Sequence, residues 1–363
     1  MKAAVLRATN EPFSIEEVEL IRDLPHRVVV KTHASPFCST DVKNWQGKLF
    51  KIPPTILGHA SIGEVIEIGP EVTKVRVGQR VVVPGTPECG VCYYCGIGEP
   101  WQCSELFDLG GIYPDIAMTS DGLPVSCAGC VGGYAELMSI SENQVFPIES
   151  DLPSDVLSLL GCGITTGMGS VFNIAKVQPG ESVAIFGAGH LGLWTLQAAV
   201  LARAATIILV EPHAGRRETG GRLGATRLID PGAEDAADVI ADMTDGRGVD
   251  VAIEAAGPAT AQRDALMASR RGGRVVLTGF ESGTTQVPLP QVQLALQSRA
   301  VLSAQNGNVH MMRDLPRYTK LIESGDLDAS EIITRRYALE ELDTARDRSG
   351  SLDDICGVIT FDQ

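Results

Sequence analysis

The chain has 363 residues, enough for two domains with full cores, and its 44% hydrophobic and 21% charged content is that of a globular protein. A formal net charge of −15 argues against nucleic acid and anionic membrane surfaces as partners, since both need clustered Lys and Arg. The first apolar run breaks at Arg7 and Asn10, so nothing reads as a signal peptide, and no stretch approaches ~18 uncharged apolar residues. Nine cysteines, an odd number with four closely spaced, suit metal-bound thiolates in a reducing cytosol better than disulfides. The expected location is cytoplasmic.

Residues 1–85 read as β-rich. Short β-branched runs at 28–32 (VVVKT), 63–68 (GEVIEI) and 80–83 (RVVV) are separated by Gly, Pro and charged turns, predicting a compact antiparallel or barrel-like module. Residues 86–131 form a long irregular segment carrying six of the nine cysteines, and a loop of that length is functional or tied down by something else. From about 151 the pattern becomes strand–helix alternation. A helix is expected at 151–160, a buried strand at 182–186, a helix at 191–202 and a strand at 206–210. A helix at 216–223, a strand at 227–229, a helix at 233–243 and a strand at 249–254 follow. A helix near 259–268 and a strand at 274–278 complete the series. This is the parallel, doubly wound pattern of an α/β protein. After about 300 the pattern mixes again, with helices at 315–324 and 338–348 and a last strand at 357–361 that returns to the first module.

Three motifs carry chemistry. Cys89, Cys92, Cys95 and Cys103 lie within fifteen residues, and four thiolates so spaced close a tetrahedral zinc site with no open position, which makes it structural. Loose thiols and an iron–sulfur cluster are the competing readings. Gly187-x-Gly189-x-x-Gly192 follows a strand and opens a helix, the context of a dinucleotide-binding turn, with His190 and Leu191 as its inner residues. Glu211 ends the next strand, where a carboxylate meets the adenosine ribose hydroxyls and repels a 2′-phosphate, favouring NAD over NADP. Arg216 and Arg217 just behind it work against that preference. Cys38, His59 and Cys162 are the right donor types for a catalytic zinc with one open position, but spacing alone does not unite them, and a single buried Cys or His is more often structural.

In their joint order these motifs resemble the zinc-dependent alcohol dehydrogenases of the medium-chain dehydrogenase/reductase family. The likeness rests on Cys38-Ser39-Thr40-Asp41, Gly58-His59, the four-cysteine lobe, Gly161-Cys162-Gly163 with Thr166-Gly167, and the glycine turn with Glu211, and it spans nearly the whole chain. It implies a GroES-like β-rich catalytic domain at 1–163 with a structural-zinc lobe at about 86–105, a Rossmann NAD-binding domain at 164–302, and a return to the catalytic domain at 303–363. It implies two zinc ions per chain, the catalytic one on Cys38, His59 and Cys162, acting as a Lewis acid while hydride passes between an alcohol and the nicotinamide. Thr40 matches the hydroxyl of the proton relay, Asp41 the carboxylate that orients His59, and Ser39 and Thr166 cofactor contacts. Small alcohols, aldehydes or ketones are the implied partners, in a homodimer or homotetramer joined through the Rossmann sheets.

Departures from the family pattern sharpen the expectation. Ala60 stands where many members carry Glu, Ser39 where many carry Arg or His, and Lys43 where some end the relay with His. Gly85 stands near where members active on small alcohols place an aromatic ring, which predicts a roomy pocket for a secondary, allylic or aromatic alcohol. A thiol-adduct (formaldehyde-type) or polyol dehydrogenase is the alternative, though polyol enzymes typically lack the full cysteine lobe. A non-catalytic member has no use for an open zinc position. Cys127 and Cys130 are read as two loop thiols rather than a third metal site.

Overall fold

The structure, a computed structural model, describes residues 1–22, 25–49, 52–107, 115–127 and 131–361. The chain divides into two compact units. The first comprises Met1–Cys162, His310–Gly325 and Ile333–Gln363; the second comprises Gly163–Val309 and Asp326–Ile332.

The first unit is built from two β systems. Strands Lys2–Leu6, Ser14–Leu20, Ala117–Thr119, Pro124–Cys127 and Thr55–Ile56 close into a small barrel. The other sheet runs in the order Phe146–Pro147, Arg80–Val83, Ser61–Ile68, Arg27–Phe37, Cys356–Thr360, Ile333–Tyr337, with Leu137–Ser141 also pairing to Arg27–Phe37. The β-branched run expected as a strand at 28–32 extends to Arg27–Phe37 because three strands pair along it. Val28, Val30, Val65, Val81, Val83, Met138 and Ile140 point inward to one core; Leu6, Phe37, Ile56, Leu57 and Tyr134 fill another. At about 25 cal/mol per Å² of buried apolar surface, each such side chain contributes roughly 2 kcal/mol before entropy is subtracted.

The second unit is a six-stranded parallel sheet ordered Arg227–Ile229, Thr206–Val210, Ser182–Phe186, Val249–Glu254, Ser269–Leu277, Ala300–Ser303. Numbered along the unit this is 3-2-1-4-5-6, the doubly wound order whose ligands sit beyond the carboxyl ends of the strands. Its central strands are mostly Val, Ile, Leu and Ala, broken by Asp250 in Val249–Glu254, because both faces are covered by helices.

Some helix starts differ from the sequence expectation by three residues or more: the helix expected from 151 begins at Ser154, and two others have an identifiable cap. Ala236–Met243 begins after Asp235, whose carboxylate accepts hydrogen bonds from the Ala237 and Asp238 N–H groups. Met311–Glu323 begins four residues before the expected 315, with Pro316 inside it, because a carboxylate distant in sequence caps its first turn. Among the described residues no single helix is long and apolar enough to cross a membrane.

Candidate functional site

The four-cysteine lobe is assembled almost entirely from turns. Gly90 and Gly98 adopt φ of 82° and 86°, which side chains resist, and these bends let the thiols converge. The Cys92 N–H donates to the Cys89 sulfur at 3.3 Å and the Cys95 N–H to the Cys92 sulfur at 3.5 Å. Burial raises the Cys92 thiol, but the Cys95 and Ser104 N–H groups and the neighbouring Cys95 and Cys89 thiols outweigh it and lower it to about 6. Cys89 and Cys95 sulfurs are 3.9 Å apart, against roughly 3.8 Å expected for two sulfurs on one tetrahedral zinc. Among the described residues, Cys89, Cys92, Cys95 and Cys103 form the one group of at least three ligating side chains whose donor atoms all lie within 4.8 Å of one another, and it can bind zinc.

The lobe is also tied to its unit by acidic residues that sequence reasoning missed. Glu88, directly before Cys89, accepts from the Met311 N–H at the start of the last long helix and faces His310 Nδ1 at 3.2 Å. Glu105 accepts from Asn143 Nδ2 at 2.5 Å. No local signal marks either contact, since the partners lie far away in sequence.

Cys38, His59 and Cys162 come from three separate elements of the first unit. Cys38 ends the long strand Arg27–Phe37 and caps the helix Ser39–Trp45. His59 lies between the strands Thr55–Ile56 and Ser61–Ile68, and Cys162 follows the turn Leu159–Gly161. His59 Nε2 is 3.3 Å from Cys162 Sγ, and the Cys38 thiol lies within hydrogen-bonding reach of Cys162. A close backbone approach makes this possible: a Cβ at Gly161 would lie 2.8 Å from Ala60 Cβ.

Asp41, fully buried, organises the set. Its carboxylate accepts from the Cys38 N–H at 3.1 Å and the Gly58 N–H at 3.2 Å, and lies 3.3 Å from His59 Nδ1. With Nδ1 donating to Asp41, the Nε2 lone pair is directed at Cys162, the tautomer that a metal ligand requires. Burial alone would lower the His59 imidazole, but Asp41 and Cys162 more than offset it and hold its proton well above the usual histidine range. A cation bound there displaces that proton. The Tyr134 hydroxyl, stacked in by Phe37 at 5.7 Å between ring centroids, is buried near Asp41 and donates to the Pro36 carbonyl at 3.2 Å. Thr40 Oγ1 accepts from the Cys38 thiol at 3.7 Å, and Ser39 is exposed at the first helical position. Two thiols and an oriented imidazole are the donor types that suit zinc with a fourth position open, although the three donor atoms do not all lie within 4.8 Å of one another. Of the thiol pair expected at the next loop, Cys127 is buried, while Cys130 lies outside the described residues.

In the second unit each glycine of the turn has a distinct reason. Gly187 has φ of 103°. A Cβ at Gly192 would lie 1.9 Å from the Gly187 carbonyl, so helix and turn pack too closely for any side chain. At Gly189 the nearest protein atom to such a Cβ is Arg216 Nη1 at 3.9 Å, so packing does not demand glycine and its openness suits a ligand. His190 opens the helix His190–Leu201 with its imidazole packed on Gly163, and Leu191 is half-buried behind it. Glu211 is buried and accepts from the Ala188 N–H at 2.6 Å and the His213 N–H at 2.9 Å. Arg217 donates to the Glu211 and Pro212 carbonyls and pairs with Asp230 at 2.9 Å. The Thr165 and Thr166 hydroxyls donate to Asn306 Oδ1 at 3.0 and 3.1 Å, and Asn306, Gly307 and Asn308 all have positive φ. That loop was invisible in the sequence pattern, apart from its Asn-Gly-Asn turn chemistry.

Comparison with known proteins gives the family of this fold. A family profile described as an alcohol dehydrogenase GroES-like domain matches residues 24–150, and one described as a zinc-binding dehydrogenase matches 191–324. The chain is 32% identical over 351 residues to an NDMA-dependent alcohol dehydrogenase of Amycolatopsis methanolica, covering 94% of this chain and 93% of that one. It is 32% identical over 355 residues to an S-(hydroxymethyl)glutathione dehydrogenase of Escherichia coli, covering 95% of each. The crystal structure of a benzyl alcohol dehydrogenase from Acinetobacter calcoaceticus superposes with a TM-score of 0.92 at 29% identity over 99% of both chains. A GroES-like domain beside a Rossmann-like cofactor domain, a thiol cluster able to take zinc and these relatives lead to one conclusion: the chain belongs to the zinc-dependent alcohol dehydrogenases of the medium-chain dehydrogenase/reductase family.

Proposed function

We propose that this oxidoreductase uses NAD to interconvert a bulky secondary, allylic or aromatic alcohol with its ketone or aldehyde. The catalytic zinc would sit on Cys38, His59 and Cys162, and a second, structural zinc on Cys89, Cys92, Cys95 and Cys103. The observation that carries this reading is His59, held between the Asp41 carboxylate and the Cys162 sulfur at 3.3 Å from each. When bound, zinc supplies Lewis acidity at the alcohol oxygen and the nicotinamide supplies the hydride acceptor. The chain's own residues do the rest. Asp41 fixes the imidazole, Thr40 receives the hydroxyl proton, and Cys162 and Cys38 supply the soft donors.

Glu211 supports NAD. Its carboxylate is anchored beside the turn by the Ala188 N–H, where a 2′-phosphate would meet it. Arg217 is committed to carbonyls and Asp230, and the buried Arg216 places Nη1 3.9 Å from where a Gly189 Cβ would stand. The backbone N–H groups opening His190–Leu201 suit the pyrophosphate. Ser39 would add a neutral hydrogen bond and Thr166, through Asn306, a cofactor-side surface.

Gly85 supports the substrate class. A Cβ there would approach only His59, its carbonyl oxygen at 3.0 Å, so the glycine withholds a side chain right beside the metal ligand. The edge strand Ala300–Ser303 is paired on one side, and the nearby helix Gln291–Gln297 exposes Val292 and Leu296. That combination suits a homodimer built edge to edge, or a tetramer of such dimers. A cytoplasmic setting is supported by the eight described cysteines, none of which is in a disulfide.

The test is a spectrophotometric panel of ethanol, cinnamyl alcohol, benzyl alcohol, a cyclic secondary alcohol and the formaldehyde–glutathione adduct, each with NAD and NADP. We expect kcat/KM for the bulky alcohols to exceed that for ethanol at least tenfold, a difference of about 1.4 kcal/mol. Equal or better ethanol turnover would sink the substrate assignment. A higher value for the glutathione adduct would move it to the reaction for which the Escherichia coli relative is named.

A further inference from the structure

The segment that carries His59 is held at its far side by a buried polar device with no counterpart in the sequence pattern. Ser35 lies near the end of the long strand Arg27–Phe37, and Ser61 opens the strand that pairs with it, where Ala34 stands opposite Ile62. Both side chains are completely buried. Both hydroxyls donate to the same acceptor, the Ala60 carbonyl, each at 2.7 Å. Gly133 completes the arrangement: a Cβ there would lie 2.3 Å from Ser61 Oγ, 2.5 Å from Ser35 Oγ and 3.3 Å from the Ala60 oxygen.

Two hydroxyls on one carbonyl occupy both of its lone pairs, which fixes the direction of that peptide plane. The peptide belongs to the residue immediately after His59. On the near side, the Gly58 N–H donates to Asp41 and the Gly133 N–H donates to the Gly58 carbonyl at 2.8 Å. The imidazole itself is held by Asp41. Ala60 also packs against Gly161, the residue before Cys162. A rotation of the Ala60–Ser61 peptide would therefore be passed through the Ala60 backbone to His59 and, through the contact with Gly161, toward Cys162.

We propose that Ser35 and Ser61 are positioning residues for the metal: by clamping the Ala60 carbonyl they set the spacing between the His59 nitrogen and the Cys162 sulfur. This rests on the assignment of His59 and Cys162 as ligands of the catalytic zinc. The two serines touch neither metal nor substrate. They differ from ordinary core polar groups in sharing one acceptor, the carbonyl of the residue that follows a proposed ligand. Supporting groups one step removed from a metal commonly alter its affinity by about 10–100-fold, and backbone clamps of this kind belong at the lower end.

The test compares wild type, Ser61→Ala and the double variant Ser35→Ala/Ser61→Ala. Zinc stoichiometry, release of each zinc to a chromogenic chelator, the visible spectrum after cobalt(II) replaces the catalytic zinc, and Tm are measured on the same preparations. We expect two zincs in wild type and lobe zinc released at an unchanged rate throughout. Release of the other zinc should be about tenfold faster in the double variant, intermediate in Ser61→Ala, with a shifted cobalt spectrum. A purely structural role would lower Tm and loosen both zincs together, and that result overturns the proposal. So does a double variant whose second zinc and cobalt spectrum match wild type. If the double variant does not fold, Ser61→Ala alone, which keeps the Ser35 bond, is read by the same criteria. A wild type holding one zinc would remove the ligand assignment and this proposal with it, whereas a two-zinc wild type with unchanged variants removes the proposal alone.

Discussion

The four-cysteine lobe and the Cys38–His59–Cys162 set share one structural unit and, as the two zinc sites proposed above, would solve the same coordination problem by opposite means. In the lobe, fifteen residues supply four thiols, glycine bends bring them together, and backbone N–H groups hold the sulfurs from within the same loop. Closing so short a loop costs little entropy, and the geometry needs few partners outside it. The other set draws its residues from positions 38, 59 and 162. Each is fixed by a separate element, and the set depends on Asp41, on the Ala60–Gly161 contact and on the barrel around them. A local site keeps its metal when its neighbours shift. A distributed site inherits the rigidity of the whole β framework, which is what a reacting centre needs.

The strongest way to break this contrast is to remove one thiol from each set. Cys162→Ser should reduce zinc from two per chain to one and lower kcat by about a thousandfold or more, while lobe zinc and NAD binding persist. Metal analysis with NADH fluorescence titration measures this, and loss of both zincs would show that the sets are not independent. Cys92→Ser should act the other way. It opens the lobe, frees the Glu88 cap of the helix Met311–Glu323, and lowers Tm by about 5–10 °C, with turnover of the remaining folded enzyme reduced far less. Calorimetry and limited proteolysis across 89–107 provide the readout. A kcat collapse as deep as that of Cys162→Ser would mean that the lobe acts on the chemistry.

The same contrast explains what could be read from the sequence. The lobe was legible because its ligands are neighbours in the chain, and the glycine turn because strand, turn and helix follow one another within a dozen residues. Cys38, His59 and Cys162 became a set only through family resemblance, since no local rule links residues 103 positions apart. Ser35, Ser61 and Gly133 read as ordinary residues of strands and turns, because a shared carbonyl acceptor exists only after the strands have paired. The start of the helix at Met311 was misplaced for the same reason: its capping carboxylate lies 223 residues earlier. Periodicity marks buried faces but carries no information about polar partners across a sheet.

Asp41→Asn sharpens the comparison at intermediate strength. Asparagine keeps the volume but presents an amide where three donors converge on a carboxylate. Affinity for the zinc of the distributed set should fall about 10–100-fold, and lobe zinc should hold. Competition against a chelator of known affinity measures the change, and an unaltered constant would mean that barrel packing alone orients His59.

The smallest expected effect lies beside the lobe. Glu142 accepts from the Thr73 and Lys74 N–H groups at 2.8 and 3.0 Å, and the neighbouring Asn143 binds Glu105 in the lobe. Burial opposes its charge, but the two N–H groups outweigh it and hold the Glu142 carboxyl below the usual glutamate value. A group depressed on folding stabilises the protein above its unfolded value of 4.5, and that contribution is lost as pH falls through the lower folded value. Glu142→Gln should therefore lower Tm by about 1–3 °C at pH 7 and flatten the acid limb of the Tm–pH curve below about pH 4.5. Parallel curves for wild type and variant would show that the Thr73–Lys74 contact carries no net charge stabilisation, and that the lobe stands without this support.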